Sequence, residues 1–389
     1  MEARPPLENL RTLASRAEWI SRSLAPADAT TGRRMAEAFA ARARQPLDRE
    51  APLTLGLEIE FFLASASGLC TPDEAMAFFD ALVTRGWKAE SGHASHRQVS
   101  FEGSVLHFEF FPHLLEISSA VFSSLGDLEN HLKRLLADIH QAAAFTRLEL
   151  HTQVPAYAHR VNPLPDSHRG DTDDSRRAWT AHYFGDSTRN LVDFPAFTAS
   201  VHFHVGGLPW WDQPEIIERL YAWEAQYFLE SWEAVLGKDA FSSYLERVFL
   251  YRTCFPGLAL IGIPDMDSWD YTSWGSALLR GAGPLKAADS VDGLRDYQLV
   301  RPRLSGTIEF RGEAPTLDLN VLLPAAARRL AASVLARNAT QSVPKLRDSF
   351  AKWQHALDNR LTSFPESARL ELIQALRSRG IGEEKWLSE

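Results

Sequence analysis

An α+β fold built on a largely antiparallel sheet is what this sequence predicts, on three observations. Short strands alternate in polarity with period two, amphipathic helices fall between them, and no regular strand–helix–strand rhythm runs through the chain. Expected elements follow in order. Residues 7–45 read as helical, with Leu10, Leu13, Trp19 and Ile20 set among charges, and end in a polar run from Arg42 to Glu50. A strand covers Leu53 to Leu63. A helix over 73–86 opens at Thr71-Pro72-Asp73-Glu74, a sound N-terminal signal. Two strands or a hairpin lie between Gln98 and Ser119. Gly126 to Leu148 is a strong helix, since Leu128, His131, Leu132, Leu135, Leu136 and Ile139 recur at helical spacing. Asn162 to Ser175 is a polar loop long enough for a lid, though an ordinary surface loop has the same composition. A strand at 198–206, a helix from Pro214 to Leu236, an aromatic irregular stretch from Asp265 to Gly283 and a strand from Gly306 to Arg311 follow. From Leu322 onward the chain reads as helices broken near Pro344 and Pro365. The expected organisation is a single catalytic domain over 1–389, with a core at 50–320 and helical segments at 1–46 and 321–389.

Composition narrows the function. Of 389 residues, 45% are hydrophobic and 23% charged, the balance of a globular protein. The net charge is −9, and no dense Lys/Arg cluster is present to track a phosphate backbone, so nucleic acid is not an expected partner. Cys70 and Cys254 do not make a disulfide framework and suggest a reducing, cytoplasmic setting. The start lacks the apolar stretch of a secretory signal, and no uninterrupted apolar run reaches the ~18 residues of a membrane span. Small molecules, not a membrane, are the expected partners. The oligomeric state stays open, with a homodimer among the options.

Four strands carry chemistry on one face. Side chains on a strand alternate between faces. Leu55, Leu57, Ile59 and Phe61 share one face, and Glu58 and Glu60 the other. Glu116 projects from the apolar run Leu114 to Ser118. Upstream, His107 and Glu109 alternate with Phe108 and Phe110. His202 and His204 share a face with Ser200. Glu309 and Arg311 lie opposite Ile308 and Phe310. A solvated outer sheet face is the plain reading of any one such strand. A solvated face, however, mixes Lys, Thr, Arg and Glu. These strands carry almost only Glu and His. If they are neighbours, their carboxylates repel, and cations are the usual remedy. Oxygen-rich donors with one or two His and no Cys suit Mg²⁺ or Mn²⁺. Arg311 presents the planar fork suited to phosphate or carboxylate.

Four pieces of this sequence resemble, in order, the glutamate–cysteine ligase type of carboxylate–amine ligases, which share the glutamine synthetase-like fold. They are Gly56-Leu57-Glu58-Ile59-Glu60-Phe61-Phe62, Leu114-Leu115-Glu116-Ile117-Ser118, Thr198 to Gly206, and Arg301-Pro302 followed by Gly306 to Arg311. The resemblance spans roughly residues 54–320. It implies a curved antiparallel sheet with helices on its outer face. It also implies ATP and Mg²⁺ (or Mn²⁺) as cofactors. Glu58, Glu60, Glu109, Glu116, His202 and Glu309 are the implied metal ligands. Arg311 and Glu58 are implied in catalysis, and Arg301, Arg311, Arg176 and His204 in binding the nucleotide. The implied reaction forms an amide, of γ-glutamyl type, through an acyl phosphate. Two other readings stand beside it. One is a mononuclear metal enzyme of cupin or non-haem iron type, built on His202-x-His204 and a Glu. The other is a non-catalytic nucleotide-binding homologue.

Overall fold

A computed structural model describes residues 52–91, 97–108, 112–153, 199–208, 216, 219–220, 223–224, 300–303 and 306–338. The chain divides into two compact units. One comprises Thr54–His204, Ala314–Arg328 and Gly380–Glu389, here the first unit. The second unit comprises Met1–Leu53, Val205–Glu313 and Arg329–Arg379.

The first unit is built on a sheet. Its strands are β1 (Thr54–Ser65), β2 (Gly68–Leu69), β3 (Lys88–Ser91), β4 (Arg97–Phe101), β5 (Ser104–Phe108), β6 (Leu114–Ser118), β7 (Glu149–His151) and the start of β8 (Val201–Gly206). Their order is β3-β4-β5-β6-β1-β8, and β2 and β7 also pair with β1. The pairs β1–β2, β1–β6, β1–β7, β3–β4, β4–β5 and β5–β6 are antiparallel. The expected α+β class with a largely antiparallel sheet is what these residues show.

Two helices pack in this unit. Helix α1 (Pro72–Thr84) starts at a capping box: Glu74 N–H donates to Thr71 Oγ1 and Thr71 N–H donates back to Glu74 Oε2 at 2.7 Å. Phe78, Phe79 and Leu82 form its buried stripe. Helix α2 (Leu125–Thr146) begins at the cap Ser124 and ends at Arg147 in the left-handed region. It buries Leu128, His131, Leu132, Leu135, Leu136 and Ile139, the set that its spacing predicts. The hairpin expected between Gln98 and Ser119 is three strands, because Glu102-Gly103 turns tightly with both residues at positive φ.

In the second unit, β9 (Val300–Pro302) and β10 (Ile308–Glu313) form an antiparallel pair. The end of β8 leads into Gly207, whose φ is 82° and where a Cβ would stand 2.8 Å from Pro52 O, so only glycine fits. The described residues of the helix expected from Pro214 (216, 219–220 and 223–224) are helical. Helix α3 (Leu319–Asn338) runs through Pro324 and contributes to both units. It is long and apolar enough to cross a membrane by length and composition, but 67% of that window is buried inside the fold. A buried Arg329 at its middle marks it as a core helix. Its burial over most of its surface also explains why the sequence shows no strong amphipathic stripe there.

Candidate active site

Three strand registers bring the acidic residues of the first unit together. Glu60 on β1 sits directly opposite Glu116 on β6. Glu116 in turn sits opposite His107 on β5. Glu58 sits opposite Ser118. On the other side of β1, Glu60 N–H donates to Ser200 O at 2.9 Å, which places the start of β8 alongside. His107, Glu116, Glu60 and Ser200 therefore form a row across four neighbouring strands, with Glu58, His202 and His204 beside it. The opposite face of β1 is core: Leu57, Ile59 and Phe61 are buried.

This face is not a solvated one. Glu60 is 8% exposed, Glu116 7% and His202 4%. Directly opposed like charges destabilise a strand pair even when solvated. Here they are largely withdrawn from water, which raises the cost.

Ser200 Oγ donates its one proton to Glu60 Oε2 at 2.9 Å. The same oxygen lies 2.8 Å from His202 Nε2, so that nitrogen carries the hydrogen and Ser200 accepts. His202 Nδ1 lies 3.0 Å from Glu58 Oε2, within hydrogen-bond reach. The other Glu58 oxygen lies 3.1 Å from His204 Nε2, out of line for a hydrogen bond. Burial pushes the Glu58 carboxyl up, but the two imidazoles outweigh it and hold the group well below the usual range. Glu58 is thus an anion whose partners are nitrogen donors. Two ligands of an octahedral ion about 2.1 Å away stand about 3.0 Å apart, so the spacing of His202 Nδ1 and Glu58 Oε2 fits a shared divalent cation. The residues of this face fit Mg²⁺ or Mn²⁺ by donor type and by polarity.

The second unit holds the remaining expected residues. Glu309 on β10 is fully buried and is clamped by two guanidiniums. Arg303 Nη1 lies 3.3 Å from Oε2, and Arg311 Nη1 bonds Oε1. The Cα of Arg301 is opposite that of Glu309. Arg303 is a residue the sequence reading missed. The signal was present, since the alternation Arg301-Pro302-Arg303 puts both arginines on one face. Glu109, Arg176, the loop 162–175, the segment 265–283 and Cys254 lie outside the described residues. Cys70 is buried, and burial pushes its thiol far up, so it is no nucleophile.

A second charged cluster in this unit was not foreseen. Arg329 on α3 donates to Glu313 Oε2 at 2.6 Å and to Glu224 Oε1 at 2.7 Å. All three are buried. Glu224 Oε1 also accepts the Gly312 N–H at 2.9 Å, and a Cβ at 312 would stand 2.5 Å from that oxygen. Its members lie on three distant segments, and no local pattern joins them.

No protein-family model matches the chain, and no curated protein matches it. Among solved structures it is similar to a bifunctional glutathione synthetase from Pasteurella multocida, with 12% identity and a TM-score of 0.47 over 90% of this chain. The chain spans 48% of that protein. It is also similar to a glutamate–cysteine ligase from Francisella tularensis in complex with AMP, at 12% identity, TM-score 0.41, 87% of this chain and 80% of that one. GmaS without ligand aligns at 13% identity and TM-score 0.36, over 91% of this chain and 75% of its own. These are likenesses of chain trace at low identity.

Proposed function

We propose that this chain is an ATP- and Mg²⁺-dependent carboxylate–amine ligase, with Mn²⁺ as the alternative ion. One observation carries the reading. Glu58, Glu60 and Glu116 converge on one sheet face with His202, whose Nδ1 lies 3.0 Å from Glu58 Oε2. Such a face suits divalent cations that also hold substrate phosphates. The order of the four sequence motifs supports the same reading. A carboxylate must be activated before an amine can displace anything from it. Attack of the substrate carboxylate on the γ-phosphorus breaks its bond to the bridging oxygen and gives an acyl phosphate and ADP; the amine then attacks the acyl carbon, loses a proton and displaces phosphate to form the amide.

The proposed roles follow residue chemistry. Glu58, Glu60, Glu109, Glu116, His202 and Glu309 hold the cations, which neutralise phosphoryl charge when bound. Arg311 stabilises the charge that develops on the transferred group. Arg303, which shares Glu309 with it, joins it in that role. Arg301, Arg176 and His204 contact the nucleotide.

Phosphate release from ATP and Mg²⁺ across a panel of amino acids and amines tests the reading. Release that requires one acid and one amine, and that falls at least about 100-fold in Glu58→Gln, is the expected result. No release with any pair sinks it. A second reading rests on the approach of both His202 and His204 to one Glu58, a two-His, one-carboxylate donor set that suits non-haem iron. Oxygen consumption by the iron-loaded protein would favour that alternative.

A further inference from the structure

We infer that the outer edge of β3 is an interface with a second copy of this chain, paired antiparallel about a two-fold axis at Ala89 so that Lys88 of each copy faces Glu90 of the other. The inference is independent of the ligase reading.

Strand β3 ends the sheet among the described residues. It pairs with β4 on one side, and Lys88, Ala89 and Glu90 are all exposed. Such an edge offers a row of backbone N–H and C=O groups to another strand. A short edge resists pairing when it carries a lone lysine, because like charges then meet. Here Glu90 lies two residues beyond Lys88, on the same face. The edge is therefore locally neutral in a chain whose net charge is −9. Two copies meet there without the repulsion that the whole chain sets up.

Register selects the arrangement. Turning a second β3 about Ala89 sets Ala89 against Ala89 and opposes Lys88 to Glu90 twice. Moving the axis to Lys88 or to Glu90 opposes like charges instead. Opposite charges directly across an antiparallel pair stabilise it, and like charges destabilise it. Ala89 lies on the other face, where its register partner Val99 is buried, and its methyl group leaves room for its own copy at the axis. Glu90 is already held in place. Gln98 Nε2 donates to its Oε2 at 3.1 Å, and Ser100 Oγ donates to its Oε1. Less side-chain freedom is then lost when the carboxylate pairs.

The strand is four residues long, and so short an edge alone falls below the roughly 1,200 Å² that a stable interface buries. A groove of about 480 Å³ adjoins it, with Gly86, Lys88, Glu90, Ser100, Phe101 and Val105 in its lining. In the paired arrangement the aliphatic stem of Lys88 from the second copy lies over this groove and adds apolar contact. The expected dimer is a weak one that dissociates on dilution.

Sedimentation velocity of the full chain from about 1 to 100 µM tests this. Expected is a reversible monomer–dimer equilibrium. Lys88→Glu and Glu90→Lys, each of which sets like charges opposite one another, should each raise the dissociation constant at least about tenfold. The double variant Lys88→Glu/Glu90→Lys restores opposite charges and should return to within about threefold of wild type. A chain that stays monomeric over the whole range overturns the inference and leaves the edge to solvent or to a different protein. A dimer that neither single variant weakens overturns it too, because the copies then meet elsewhere. A double variant as weak as the singles overturns the pairing of Lys88 with Glu90.

Discussion

The sheet face of the first unit and the Arg329 cluster of the second are both groups of buried charge, and they are completed in opposite ways. Arg329 pairs with Glu224 and Glu313 from within the chain, through hydrogen bonds of 2.7 and 2.6 Å, although Glu224 Oε2 makes no hydrogen bond among the described residues. Burial pushes the Glu224 carboxyl up even against the guanidinium, while the two carboxylates push Arg329 further up. On the sheet face, Glu60 faces Glu116, and the only basic groups touching Glu58, Glu60 or Glu116 among the described contacts are imidazoles. The difference lies in the partner: one guanidinium donates to both carboxylates of the Arg329 cluster, whereas imidazoles and hydroxyls meet those of the sheet face, the set we propose to hold cations.

The largest expected effect breaks the closed cluster. Arg329→Met leaves two buried carboxylates without their cation and should lower stability by about 3–5 kcal/mol in urea or guanidinium unfolding. Replacing Glu224, Glu313 and Arg329 together by apolar residues should recover most of the loss, because no charge is then stranded. Equal losses in the single and triple variants would mean that the cluster contributes shape rather than paired charge.

The open cluster should answer to added ion instead. Mg²⁺ or Mn²⁺ at about 100 times its dissociation constant should stabilise the wild-type fold by about 2.7 kcal/mol. Glu60→Gln should lose that response. In the absence of divalent ions the same variant should be more stable than wild type by ~0.2–1 kcal/mol, since one of two opposed carboxylates has gone. A Glu60→Gln chain that is less stable without ions, yet keeps the full ion response, would make this face scaffold as well. Thermal unfolding with and without chelator reads both arms.

How far the sequence showed this contrast depends on the range of each signal. Glu58 and Glu60 were legible because strand alternation is local, and Leu57, Ile59 and Phe61 fixed which side is core. Thr71 and Glu74 announced helix α1 for the same reason. The pairing of Glu60 with Glu116 and of Glu116 with His107 is a matter of register between strands, which no local pattern sets. Arg303 lies two residues beyond Arg301, but only the fold brings its guanidinium to Glu309. Glu224, Glu313 and Arg329 read as ordinary helix and strand charges, and only the fold makes them one cluster.

A third buried group, smaller than the other two, sharpens the comparison. Ser104 Oγ lies 2.7 Å from His131 Nε2, and His131 Nδ1 lies 3.4 Å from Glu102 Oε2. The order serine, histidine, carboxylate is that of a nucleophile relay. Ser104 is fully buried, however, and its Oγ accepts the Ala120 N–H, so no substrate reaches it. Like the Arg329 cluster, it is closed. Burial lowers the His131 pKa from 6.5, more than the neighbouring Glu102 raises it, and Arg134 adds to the lowering. Phe101 and Phe122 flank the ring. A histidine held neutral in this way contributes stability that is present above its unfolded pKa of 6.5. That contribution is lost as pH falls from there toward the folded value, because the unfolded chain takes up the proton first. The His131 contribution to the unfolding free energy of the wild type should therefore decline as pH falls below 6.5, by less than the ~1.4 kcal/mol per pH unit that one proton allows. His131→Gln should be less stable at neutral pH and should show a shallower decline. An unchanged slope would mean that His131 titrates alike folded and unfolded, and that the ring is open to water in a way its closed neighbour Ser104 is not.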